Sequence, residues 1–196
     1  MNTPPRDAQA VLDFWFGTPQ QPHHLTPRPE WFRKDEAFDA AIRDGFGATI
    51  EAALRGDLDG WMARPLHAVA YILLLDQFTR NAFRDQPRMY AGDARALAAA
   101  RALVAAGTDR QLPALMRQFV YLPFEHAEQL ADQDESMRLF TALAADDPRL
   151  ADLPTWADKH RVIVARFGRF PHRNAILGRA STPEETEFLK QPGSGF

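Results

Sequence analysis

Apolar residues recur at intervals of three and four along almost the whole chain, while β-branched runs are few and strand signals nearly absent. Only helices can bury a pattern of that period on one face, so the predicted fold class is all-α. The clearest ladder is Phe38, Ile42, Phe46, Ile50 and Leu54. Asp35 ahead of it suits a helix N-cap, and Gly56 after it suits the left-handed residue that ends a helix. A chain of 196 residues fits one well-filled domain, which buries roughly 70% of its unfolded surface.

Punctuation places the other helices. A first one is expected over residues 8–16, stopped by Gly17, with a proline-rich loop carrying His23 and His24 up to Pro29. Pro65 opens a helix with Leu66, Val69, Ala70 and Leu73 on one face and Tyr71, Leu74, Leu75 and Phe78 on the other; apolar nearly all round, it belongs at the centre of the domain. Further helices are expected over residues 93–106, ended by Gly107, and over 113–122, broken by Pro123. Asp132 with Glu135 predicts a capping box ahead of inward-facing Met137, Phe140 and Leu143. Pro154 opens a helix whose buried stripe reads Trp156, His160, Ile163, Val164 and Phe167. Thr182, Pro183 and Glu185 form a complete start signal before Phe188 and Leu189. Residues 1–6 and 190–196 are expected as flexible ends, and no internal repeat is evident.

Composition removes several functions. The longest pure apolar run is Val69 to Leu75, far below the roughly 18 residues of a membrane span. The first residues lack the apolar core of a signal peptide, so a cytoplasmic location is the default expectation. With no cysteine there is no disulfide, thiolate metal site or cysteine nucleophile. A formal charge of −3 argues against general nucleic-acid binding, and Phe167 and Phe170 have the spacing of core residues rather than of base-stacking platforms. No metal-ligand spacing is present, and no metal or cofactor is expected.

Three segments combine polar groups in ways that carry chemistry. In Asp76-Gln77-Phe78-Thr79-Arg80-Asn81, four-residue spacing pairs Asp76 with Arg80 and Gln77 with Asn81, so polar groups enter the interior as a pocket floor or a structural network. In Phe124-Glu125-His126-Ala127-Glu128, after Pro123, the two carboxylates are either an acid–base pair or partners for arginines. The third is the basic stretch. From Arg161 to Arg179 there are five arginines and His172 but no acid. Pro171 is expected to open a short helix ended by Gly178, which places His172 and Arg173 near a helix N-terminus that favours anions. His160, Arg161, Arg169, His172, Arg173 and Asn174 therefore make an anion site, or else bridge helices through Asp76, Glu125 and Glu128.

Together with Trp31-Phe32, Asp39 and the segment from Ser181 to Leu189, these motifs resemble the bacterial family called domain of unknown function 924 over nearly the whole chain. The resemblance implies an all-helical fold of antiparallel helix pairs similar to tetratricopeptide-like superhelices, although the tetratricopeptide consensus is missing here. It implies no activity. Phe124 stands where methionine or leucine is usual in the family, a conservative apolar change.

The function expected first is binding of a small anion or acidic group in a polar pocket of Asp76, Gln77, Arg80, Asn81, His160, Arg161, Arg169, His172, Arg173 and Asn174. A second is an enzyme using Glu125 or Glu128 as base and His126 or His160 as acid. A third is a scaffold whose helical surface holds a partner peptide.

Overall fold

The computed structural model describes residues 5–195; Met1 to Pro4 of the expected N-terminal arm and Phe196 of the expected tail lie outside the described residues. All the regular structure among the described residues is helical, with no strand. Length predicts one domain, and the contacts gather the chain into two compact units: one of residues up to Arg84 with Arg88–Pro123, the other of Asp85–Pro87 with Phe124–Phe196.

The first unit holds α1 (Ala8–Phe16), α2 (Glu36–Arg55), α3 (Pro65–Leu73), α4 (Thr79–Ala82), α5 (Asp93–Ala106) and most of α6 (Ala114–Glu125). Local signals set most of these bounds. Asp35 accepts the amides of Ala37 and Phe38, and Gly56 and Gly107 end α2 and α5 in the left-handed conformation. Phe38, Ile42, Phe46 and Ile50 are buried as the ladder predicts, with Leu54 half-buried. They face an aromatic core in which Trp31 lies 4.9 Å from Phe119, Phe14 5.0 Å from Phe46 and Phe46 5.1 Å from Phe78, mostly tilted or edge to face.

The central helix departs from its prediction in two respects. Leu66, assigned to the buried stripe, is 45% exposed, because only from Ala68 onward is the helix enclosed. The helix also does not run unbroken to Asn81: a π-helical turn, Leu74–Phe78, separates α3 from α4. The expected Gln77–Asn81 pair is not made, because each amide has another partner. Gln77 instead donates to Asp76, and Asn81 to Asp39 at 2.7 Å.

The second unit holds α7 (Leu130–Asp146), α8 (Leu153–Phe167) and α9 (Pro183–Phe188). A short connection joins α7 to α8, which pack together along their length as an antiparallel pair. Ile163, Val164 and Phe170 form a buried cluster with Phe167 and Phe188 against it. Three expectations are corrected here. α6 passes through Pro123 to Glu125, since a proline two residues before the end of a helix forfeits one hydrogen bond of its last turn. α7 starts at Leu130 with Asp132 already inside its first turn, so the Asp132–Glu135 capping box is not formed and Glu135 holds Arg138 instead. Trp156 is 44% exposed and lies beneath the Lys159 ammonium, 3.8 Å from its ring, while Ala157 takes the buried position. The box of Thr182 and Glu185 at α9 is complete.

Candidate functional site

The candidate residues fall into both units. In the first, Arg80 grips both oxygens of Asp93, at 2.9 and 3.2 Å, donates to the Asp76 carbonyl at 2.6 Å and stands 3.3 Å from the Asp76 carboxylate. The expected Asp76–Arg80 contact is thus present, with Asp93 as a second, bidentate partner. Burial pushes the guanidinium pKa down, but the charges of Asp76 and Asp93 outweigh it and raise the net value. Asp39, buried on α2, accepts from Asn81 and, bidentately, from Arg84 at 2.6 and 2.9 Å. Burial favours its protonated form, yet the Arg84 and Asn81 hydrogen bonds prevail and hold its pKa below the ordinary value.

In the second unit the acid-free stretch finds acids from outside itself. Arg161 pairs with Asp134 at 2.6 Å, Arg166 with Glu184 at 2.8 Å and Arg169 with Glu185 at 2.6 Å. Arg179 grips both oxygens of Glu128, at 2.6 and 2.9 Å, and the Phe170 amide donates to the same carboxylate at 2.8 Å. Glu185, predicted only as a cap residue, also receives the Asn174 amide at 3.3 Å and the Thr182 amide at 2.7 Å. Arg169 and Asn174 are therefore tied to the start of α9. An open cleft of about 390 Å³ lined by Arg166, Phe167, Arg169, Thr182, Glu184 and Glu185 carries both cations already matched to acids on its own rim.

Pro171–Arg173 forms a single 3-10 turn instead of the expected helix to Gly178, so no helix dipole converges on His172 and Arg173. What brings these residues together is the ring of Phe170, which is fully buried. The Arg173 guanidinium lies 4.5 Å from its centroid, the His172 ring 5.6 Å and the His160 ring 5.7 Å, and His126 stands 6.3 Å from His160. Arg173 and His160 are buried, and His126 and His172 half-buried.

Glu125 ends α6 inside this group, with Oε1 3.3 Å from His160 Nδ1. The same nitrogen is 2.9 Å from the Trp156 carbonyl, an oxygen that only accepts, so Nδ1 carries the proton and the lone pair of the neutral ring is on Nε2. Burial, reinforced by His126, Arg173 and His172, pushes the His160 pKa down to about 3. Burial and then Arg173 take His172 down to about 4. The end of α6 is fixed by Gln133, a residue that no motif marks. Its side-chain amide donates to the carbonyls of Glu125 at 2.6 Å and Ala127 at 2.7 Å, groups a helix terminus leaves without backbone partners. Sequence spacing also gave no sign of Arg179 as the holder of Glu128; the only local hint was the lack of any acid near it.

Among the described residues no group of three or more His, Asp or Glu is placed to hold a metal ion, and no helix is long and apolar enough to cross a membrane.

The fold defines an all-α protein of two compact helical units. A family model described as bacterial protein of unknown function (DUF924) matches residues 11–193, and the chain belongs to that family. It is similar to a solved protein of unknown function from Agrobacterium tumefaciens at 40% identity and a TM-score of 0.81, over 93% of this chain and 96% of that one. No curated protein matches it.

Proposed function

We propose that the second unit binds a small carboxylate or phosphate through the group around Phe170, with Arg173 as the permanent charge and His160, His172 and His126 as tunable donors. The observation that carries this is the convergence of one guanidinium and two imidazoles on the Phe170 ring, with the His126 imidazole beside His160; Arg173 and His126 both lower the pKa of His160 and of His172. An anion held there relieves that repulsion and stabilises the protonated rings, so binding takes up protons. Arg161, Arg166, Arg169 and Arg179 pair with Asp134, Glu184, Glu185 and Glu128 and serve as ties between segments.

An acid–base role is favoured by one observation, the Glu125–His160 contact. A ring held to about 3 is a weak base at neutral pH, whereas catalysis is best served by a pKa near the working pH. Binding is therefore the preferred function.

The test is thermal unfolding in inorganic phosphate, in citrate and in chloride at matched ionic strength. Phosphate or citrate is expected to raise Tm beyond chloride, more at pH 6 than at pH 7.5, and to lose that advantage in Arg173→Met. Because Arg173 is buried, histidine proton NMR of the unaltered protein supplies a second readout: phosphate should raise the His172 titration midpoint. Equal stabilisation by all three salts, with no movement of that midpoint, overturns the proposal.

A further inference from the structure

The chain does not stop at α9. Beyond Phe188 it turns back on itself: the Gln191 amide donates to Phe188 at 3.0 Å, the Ser194 amide to Gln191 at 3.3 Å and the Ser194 hydroxyl to the Leu189 carbonyl at 3.2 Å. Gly193 takes a φ of +77°, which a glycine adopts without strain. This turn lays Gly195 on His172, where a β-carbon at residue 195 would meet His172 Cβ at 3.4 Å and Cγ at 3.7 Å.

We propose that residues 191–195 are a strap over His172 that sets access to the imidazole–guanidinium group; as a regulatory device this rests on the anion-binding function proposed above. Three features fit a strap that opens. The ties given above, of 3.0 to 3.3 Å, lie on exposed or half-exposed residues, the setting in which local opening costs least. It contacts His172, which with His126 is the more accessible part of the group, rather than the buried Arg173 or His160. It packs through glycine, whose lack of a side chain leaves nothing to anchor it. A ligand that needs the His172 edge binds the open form, so strap opening and anion binding are thermodynamically linked.

Carbethoxylation of histidines by diethyl pyrocarbonate, read by peptide mass spectrometry, tests the strap in the full-length chain. His23, exposed in a loop of the first unit, is the internal reference. Ser194→Pro removes the amide and hydroxyl ties together, and Gly193→Ala strains the left-handed turn without a clash, since nothing lies within 4 Å of a β-carbon there. Both variants should raise the His172 rate relative to His23, by roughly three- to tenfold for an element of low local stability, and both should tighten phosphate binding. An unchanged His172/His23 ratio in both variants overturns the strap even if phosphate still stabilises the protein. A raised ratio without any phosphate response in either variant or the parent upholds the strap as a cover and overturns its anion-gating role together with the anion function.

Discussion

Gly92 lies directly against the carbonyl of Leu75: a β-carbon at residue 92 would stand 2.1 Å from that oxygen. The contact joins the start of α5 to the π turn of the central helix, and the Leu75 oxygen also accepts the Thr79 hydroxyl at 2.8 Å. Backbone meets backbone here, so no side chain can swing away to relieve a clash. Gly92→Ala is expected to cost about 3 kcal/mol or more, at the upper end of what overpacking does. Its φ of −92° is ordinary, so the loss would come from the clash alone. A urea midpoint indistinguishable from the parent's would refute it.

Gln133→Leu should lower stability by roughly 2–4 kcal/mol, because the carbonyls of Glu125 and Ala127 lose their donor inside the protein. Gln133→Glu should be at least as harmful above neutral pH, where a carboxylate faces two carbonyl oxygens, and should recover partly in acid. Chemical unfolding of both variants at pH 5 and pH 8 checks the order.

The imidazoles of His160 and His172, one buried and one half-buried, predict acid sensitivity. His160 and His172 titrate near 3 and 4 in the folded chain against an ordinary 6.5. Below pH 6.5 the unfolded chain takes up protons that the folded chain refuses, so stability falls as pH drops from about 6.5 toward 4. Each ring adds up to about 1.4 kcal/mol per pH unit in that window. His160→Gln should flatten this limb; an equally steep limb in that variant would show that the ring titrates normally.

Glu185 acts in a lower window. The Arg169 hydrogen bonds, followed by the Thr182 amide, depress its pKa from 4.5 to about 2 against the opposing effect of burial. A carboxylate depressed in the fold stabilises it fully above pH 4.5 and progressively less as pH falls toward 2. Glu185→Gln should remove that component and leave the histidine window intact, which stability profiles of the two variants separate.

Much of the candidate site was visible one residue at a time. His160 follows the helical stripe and is buried as spacing predicts, and Phe170 reads as core and is fully enclosed. Trp156, one turn earlier on the same stripe, is exposed, because a periodic pattern defines a face without saying how far along the helix its cover extends. Arg169 and Arg173 look alike in the sequence, yet one is tied to Glu185 and the other lies over Phe170. Arg169 meets an acid that the chain brings in from 16 positions away, while a single tight turn sets Arg173 over Phe170.

What the sequence determined by itself is whatever local chemistry settles: the all-helical class, the Asp35 cap, the stops at Gly56 and Gly107, and the capping box of Thr182 and Glu185. Each depends on backbone groups within about four residues, so the deciding partner is already written nearby. Only the tertiary structure decided the π turn at Leu74–Phe78, the continuation of α6 through Pro123, and which acid neutralises which arginine. Gly92 against Leu75 and Glu128 with Arg179 are contacts between segments far apart in the chain, and Gln133 reaches back across a bend to the end of α6. Helix periodicity does not encode such contacts; packing selects them by satisfying buried polar groups and excluding overlap.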